Sequence, residues 1–334
     1  MCGARIGLVS FDSLGDSLIY LMIAENLRLN GFDVSLYGNV SYQLRSWVTQ
    51  LRILPLPLRN ELITELEQYD LAIVSPPQYL RNDLSQEKLE EYKRRWVLIC
   101  QRAPDCWKYD HSGRLQKSLS ADVYQKLGAL PRCGGAIRYR RFEKESVVDI
   151  ALHYMREKMK LERIERHVRL TVPSHLEHRR YRQRIVVSPD SAWPEKKDWS
   201  PHRFFRLCRL LKREGYDPVI VVSPANHAYW TDFVHGELDT PFFSNIDELA
   251  AYIYESGALI ANDSGNGHLA SFLGVPVVTI YRKRNSYFHW RPDWGKGTVV
   301  TPKITIPWRG RTIWRPFINP MSVLRHLKAI HAGT

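Results

Sequence analysis

A chain of 334 residues, 44% hydrophobic and 25% charged, exceeds the usual size of a single core, so two domains are expected. No stretch approaches the ~18 uninterrupted apolar residues that cross a bilayer, and the opening MCGARIGLVS lacks a signal-peptide layout, which predicts a cytoplasmic protein. Cys2, Cys100, Cys106, Cys133 and Cys208 are scattered, odd in number and without a CxxC pair, which argues against a disulfide framework and a structural zinc site. The formal net charge of +13 points to a polyanionic partner (nucleic acid, an anionic membrane surface or a phosphorylated glycolipid), unless it is only a solvated basic surface.

In chain order, residues 5–10 predict a strand, FDSLGD a turn, and residues 17–30 a helix with apolar spacing at Leu18, Leu21, Met22 and Leu27, stopped by Gly31. Residues 32–37 alternate like the next strand, and residues 70–75 and 95–100 read as further strands. A helical, charge-rich stretch covers residues 144–167. Residues 171–183, with a proline and a dense basic run, read as a linker between a first domain (1–170) and a second (184–318).

The pattern then restarts. A strand over 184–188 leads to the loop PDSAWPEKKDWSP and a helix over 202–214 closed by Gly215. A strand over 218–222, a loop SPANHAYW and a helix over 246–255 follow, then a strand over 258–261, a short helix and a strand over 275–281. This alternation predicts an α/β protein with two Rossmann-like, doubly wound parallel-sheet domains facing across a cleft. A last helix over 321–331, in the segment 319–334, is expected to pack back on the first domain.

In open sheets of this kind ligands bind at the carboxyl ends of strands, which directs attention to the loops. The stretch ANDSGNGHLASFLGVP (261–276) has two readings. One is an anion seat, in which free N–H groups at a helix start and the helix dipole favour negative charge. The other is an ordinary strand-to-helix turn capped by Asp263 or Ser264 and stopped at Gly274. Three loops of the second half meet at one sheet end. They bring Ser188, Ser191 and Lys196 or Lys197; Asn226 and His227; and Asp263, Ser264, Gly265, Asn266 and His268. Together they form a hydroxyl, ammonium and helix-terminus cradle suited to a diphosphate. Neither GxxxxGK[ST] nor GxGxxG is present, which argues against a P-loop and a dinucleotide dehydrogenase.

Three segments, SFDSLGDSLI, VVSPDSAWPEKKDW and IANDSGNGHLASFLGVPVVTIY, resemble in order and spacing the motifs of glycosyltransferase family 9, the lipopolysaccharide heptosyltransferase type with the GT-B fold. The resemblance implies an inverting transfer of a sugar, heptose from ADP-heptose in the family pattern, onto a lipopolysaccharide-core-like or other surface glycan. It implies Asp16 as the base that deprotonates the acceptor hydroxyl, with Asp12 as fallback; an N-cap role is the structural alternative for Asp16. Lys197, with Ser188, Ser191, Asn226, Asp263, Ser264, Gly265, Asn266 and His268, would hold the donor. Asp12, Ser13, Arg138, Arg140 and Arg141 would face the acceptor. His268 is equally readable as a packed structural histidine.

No metal ligands are expected, since DxD is missing, and no cofactor is required, with magnesium stimulation left open. The implied partners are a nucleotide-sugar donor, an anionic glycolipid or glycan and the anionic inner face of the cytoplasmic membrane. Nucleic acid is not expected, because no binding motif accompanies the aromatic and basic clusters. Two departures stand out. Tyr281-Arg282-Lys283-Arg284-Asn285-Ser286 replaces a glycine-proline phosphate loop, and SPANHAYW lacks an acid for the nucleoside ribose. They leave open a UDP- or GDP-hexose donor, or an inactive protein that binds a nucleotide sugar or polyanion.

Overall fold

Short, continuous apolar runs such as RIGLV, LAIV and VLIC suit strands buried on both faces, as parallel sheets covered by helices require. The computed structural model describes residues 3–81, 85–283 and 288–331, and the chain divides into two units, Met1–Thr171 and Val172–Thr334. The first unit contains β1 (Arg5–Val9), β2 (Asp33–Tyr37), β3 (Arg52–Leu54), β4 (Leu71–Val74), β5 (Val97–Cys100) and β6 (Gly135–Ala136). They form one parallel sheet in the order β3-β2-β1-β4-β5-β6, which reverses direction of travel between β1 and β4.

The helix Leu14–Leu29 starts three residues earlier than its apolar spacing suggests, because Ser13 caps it and accepts from the Asp16 N–H at 3.4 Å. It is buried almost all round. Asn26 and Asn30, one turn apart, replace strand pairing for an irregular segment. Asn26 exchanges hydrogen bonds of 2.9 and 2.7 Å with the backbone of Glu165, and Asn30 bonds Arg163 and Glu162. The predicted helix over 144–167 accordingly ends early. Its helical part is Val147–Glu157, opened by a Ser146/Asp149 capping box, and Lys160 then takes a left-handed φ of 55°.

The second unit contains β7 (Tyr181–Ser188), β8 (Asp217–Ile220), β9 (Ser256–Asn262), β10 (Val277–Ile280) and β11 (Gly297–Val300), parallel in the order β11-β10-β9-β7-β8. A separate antiparallel hairpin joins β12 (Ile306–Trp308) to β13 (Arg311–Ile313). Strand β7 begins inside the stretch read as linker. Part of that basic run is structural: Arg179 Nε donates to the Gly257 carbonyl at 3.0 Å, and the Arg184 guanidinium lies 3.9 Å from the centre of the Tyr252 ring.

One sequence expectation needs correction. SPANHAYW is not a loop: Pro224–Phe233 is a helix, opened by the Ser-Pro start signal that also begins Pro201–Arg213. The last helix, Pro320–His331, packs its apolar stripe within its own unit. Val323, Leu324 and Leu327 share a core with Leu207, Val278, Ile280 and Val300, so its apolar stripe is satisfied there.

Strands β7 and β9 approach so closely at Gly257 that an added Cβ would lie 1.8 Å from the Arg182 carbonyl oxygen. Gly257→Ala is expected to destabilise the protein by ~1–3 kcal/mol in thermal unfolding. Gly113→Ala, in a helix with open space around it, should be neutral or slightly stabilising.

Candidate functional site

In the second sheet the order reverses between β7 and β9, so their carboxyl ends flank a crevice of the kind where ligands bind in open α/β sheets. The loop after β7 and the start of the helix Gly265–Phe272 after β9 are held together by Asn262. Its Oδ1 accepts from the Trp199 N–H at 3.1 Å and its Nδ2 donates to the Pro189 carbonyl. This fixes the short helix Pro194–Lys197. Lys197 turns inward and pairs with Asp263, Nζ to Oδ2 at 2.8 Å, with both side chains mostly buried, whereas Lys196 is exposed. Burial raises the Asp263 pKa, opposed by Lys197 and by the charge of nearby Arg282.

Beside this pair the helix start leaves backbone N–H groups at Ser264 and Gly265. The Ser264 Oγ is buried without a hydrogen-bond partner among the described residues and makes no capping bond. Ser188, fully buried, accepts from Asn266 Nδ2 at 2.9 Å and so orients that amide.

The other expected donor residues are engaged within the protein. Ser191 donates to Asp198 Oδ1, and Asn226 donates to Asp190 Oδ2 at 3.2 Å, which also accepts the Ser223 N–H at 2.8 Å. His227 Nε2 donates to the Thr240 carbonyl at 2.7 Å. His268 is buried edge-on against Trp290 and Trp294, and burial pushes its pKa down to about 4. It is therefore neutral near pH 7 and supplies no positive charge to the crevice. Arg282 and Lys283 fall within the described residues, whereas Arg284, Asn285 and Ser286 lie outside them.

Sequence reasoning missed Asp198 and Arg315. Burial pushes the Asp198 pKa up to about 6, with the Ser191 hydroxyl opposing the rise and the Asp190 charge adding to it. Arg315 donates to the carbonyls of Asp198 (2.6 Å) and Glu195 (2.7 Å), bracing the Lys197 helix from the tail. A cavity of about 440 Å³ adjoins, lined by Asp190, Asp198, Asn226, Tyr229, Trp230 and Arg315 among others. Nothing local in the sequence links Arg315 to a loop more than a hundred residues away. Asp198, in the quoted motif VVSPDSAWPEKKDW, is the readable signal.

The first sheet reverses between β1 and β4, and there Asp16 sits at the third position of the helix Leu14–Leu29; the cap is Ser13. The Ser13 hydroxyl donates to Asp16 Oδ2 at 2.5 Å. Burial raises the Asp16 pKa, opposed by that hydrogen bond and by the charge of Arg81. Arg81 stands over the Phe11 ring at 4.3 Å and donates to the Pro76 carbonyl. Tyr20 and Ser75, whose hydroxyls face each other, and Gln101, whose Nε2 is buried without a partner among the described residues, lie at the same end of the sheet or on the helix beside it. Sequence reasoning named none of Tyr20, Ser75, Arg81 and Gln101. Ser75 and Gln101 could have been found as the residues where the β4 and β5 runs end.

The remaining acceptor-side expectations separate. Asp12 accepts from Asn39 N at 3.1 Å and its amide at 3.4 Å, tying two loops together. Arg138 is half-buried near Arg102, and burial lowers its pKa. Arg140 pairs with Glu157 at 3.2 Å, and Arg141 is exposed. No group of three or more His, Cys, Asp or Glu side chains able to hold a metal occurs among the described residues.

Residues 136–301 match the profile of glycosyltransferase family 9 (heptosyltransferase). Among solved structures, the chain is similar to the E. coli ADP-heptose lps heptosyltransferase II, with TM-score 0.65 and 18% identity over 98% of this chain and 99% of that one. It is also similar to the family 9 glycosyl transferase from Veillonella parvula DSM 2008 (TM-score 0.63, 16% identity, 99% and 98% covered). A third similar structure is the E. coli heptosyltransferase WaaC with ADP (TM-score 0.58, 13% identity, 97% and 99% covered). No curated protein matches the chain. At these identities the structural likeness establishes the fold, GT-B.

Because Asp198 has a folded pKa of about 6 against an unfolded value near 3.8, its ionisation opposes folding. Its contribution favours the folded state fully below the unfolded pKa and is lost as pH rises to about 6. Asp198→Asn should therefore gain thermal stability over the wild type progressively between pH 4 and 6, with a constant difference above. A difference independent of pH would assign the effect to packing.

Proposed function

Because residues 136–301 belong to glycosyltransferase family 9 and the whole chain has the GT-B fold, we propose that the protein is an inverting glycosyltransferase that takes heptose from ADP-heptose. The observation that carries the donor half is the Lys197–Asp263 pair beside the partnerless Ser264 hydroxyl and the helix start, at the reversal point of the second sheet. A diphosphate there meets an ammonium, free N–H groups and the positive end of a helix. The similar structures include an ADP-heptose heptosyltransferase and a heptosyltransferase with ADP, which supports the choice of donor.

In the reaction the acceptor oxygen attacks the anomeric carbon while the bond from that carbon to the diphosphate oxygen breaks. Asp16 takes the acceptor proton, and its raised pKa makes it a stronger base than an ordinary carboxylate. Negative charge grows on the departing nucleoside diphosphate. Lys197 and the Ser264 and Gly265 N–H groups stabilise it, so no metal is required. Neutral His268 serves by packing or by accepting a hydrogen bond at Nδ1, which has no partner among the described residues. The acceptor is an anionic surface glycan or glycolipid reached at the inner face of the cytoplasmic membrane, with Arg81 and Arg138 as its cations.

A second reading, with a UDP- or GDP-hexose donor, rests on one observation. Where the family places a ribose acid, this chain has a helix whose Asn226 is bound to Asp190.

Purified protein with ADP-heptose and UDP-, GDP- and dTDP-sugars should show thermal stabilisation by the true donor alone. Asp16→Asn should keep that stabilisation and lose ~10²–10⁴-fold in transfer. The wild-type rate should fall as pH drops through the raised Asp16 pKa, because only the ionised carboxylate accepts the proton. Undiminished transfer by Asp16→Asn would sink the base assignment. Stabilisation by no nucleotide sugar would leave a polyanion-binding protein.

A further inference from the structure

The hairpin β12–β13 belongs to neither large sheet, and two strands alone are marginal in water. Yet it carries large apolar side chains outward: Ile306 is 44% exposed, Trp308 59% and Ile313 39%, with Ile304 at 54% just before it. The register places Ile306 opposite Ile313 and Trp308 opposite Arg311, so the isoleucines and the tryptophan share one face, with Pro307 and Thr312 on the other.

The turn has φ of 44° at Arg309 and 72° at Gly310, the two positive values of a tight two-residue hairpin turn. Asparagine, aspartate or glycine is the usual first residue of such a turn. An arginine there sits in a backbone region unfavourable to it, and it puts a cation at the tip. Its guanidinium lies 5.5 Å from the centre of the Trp308 ring, and exposed Lys303 adds a second cation near the hairpin base.

We propose that this hairpin docks the protein on the surface of an anionic phospholipid bilayer. Trp308 lies at the headgroup level, Ile304, Ile306 and Ile313 reach the acyl boundary, and Arg309 and Lys303 meet lipid phosphates. Charge selects this occupant: the tip is cationic and the whole chain carries +13. Size argues the same way, since a stable protein interface buries about 800 Å² per partner, beyond what one short hairpin presents. The hairpin is rooted firmly, because Trp314 and Ile318, directly beyond it, are buried in the core of the second unit. The proposal rests on the membrane-face placement of the acceptor but not on the donor or the transfer reaction, so flotation without sugar nucleotide tests it apart from activity.

The test is flotation of the full-length protein with phosphatidylglycerol-phosphatidylethanolamine vesicles against phosphatidylcholine vesicles, with no sugar nucleotide present. Wild-type protein should float with the anionic vesicles only, less so at high salt, and its tryptophan emission should shift to the blue. Ile306→Ser with Trp308→Ser should weaken binding by about tenfold or more, at unchanged thermal midpoint. Trp308→Phe, which keeps the apolar surface, should still float while losing most of the emission shift. Wild-type affinity in the double variant, or no flotation of the wild type, overturns the proposal. A wild-type dimer in light scattering that the double variant abolishes would assign the face to a second copy of the chain and overturn it as well.

Discussion

The side-chain amide of Asn262 is the constraint on which the second unit's site depends. It sits fully buried at the end of β9, where an unpaired amide would be costly, and both its groups are satisfied by the loop that follows β7. One accepts from the loop's end at Trp199 and the other donates to its beginning at Pro189. The loop between is thus closed at both ends by a residue of the neighbouring strand. Its short helix has one way to lie, with Lys197 against Asp263, the residue after the clamp. A lysine on a free loop would be a mobile surface charge. Here the strand end that supplies the helix N-terminus also fixes where the ammonium stands.

Three carboxylates in the two candidate half-sites show the same balance. Burial raises the pKa of Asp16, Asp198 and Asp263, and each rise is opposed most by one close partner, the Ser13 hydroxyl, the Ser191 hydroxyl and the Lys197 ammonium, with a more distant arginine adding to it. The partners differ in kind, and so do the consequences. A hydroxyl stabilises a carboxylate without neutralising it, which leaves Asp16 a basic group. An ammonium neutralises, so Asp263 presents little net charge and serves to aim Lys197. His268 is kept neutral chiefly by burial, with the charge of Lys197 acting the same way and a backbone hydrogen bond at Trp290 opposing both. With Lys197 and Asp263 cancelling, Arg282 and the helix dipole set the sign of the crevice.

Much of this could be read from the chain itself. The apolar runs of β1, β4, β5, β7 and β9 and the three motifs located the sheets, the Asp16 helix and the DSG turn, because each is encoded by neighbouring residues. The anion-seat and turn readings of residues 261–276 prove compatible: Ser264 stands at the N-cap, but its hydroxyl stays unbonded. What escaped the sequence is tertiary. Whether Lys196 or Lys197 points inward depends on Asn262, sixty-five residues from the latter. The early end of the 144–167 helix depends on Asn26 and Asn30. Ser75 and Gln101 matter only because parallel strands bring their ends beside Asp16.

The tail illustrates the limit of pattern most clearly. Its tryptophans, prolines and final helix carry a normal apolar stripe, which says that the helix is buried but not against what. The answer lies in complementary surfaces: Val323, Leu324 and Leu327 fill the face between the helix Pro201–Arg213 and the strands β9, β10 and β11. Trp314 enters the same core, which places Arg315 under the loop that follows β7, where Trp199 Nε1 donates to its carbonyl at 3.1 Å and its guanidinium donates back to the carbonyls of Asp198 and Glu195. The exchange runs in both directions between tail and loop, so neither can shift alone without leaving backbone groups unpaired. The C-terminal segment is therefore a structural wall of the candidate site, and the hairpin that precedes it projects from that wall.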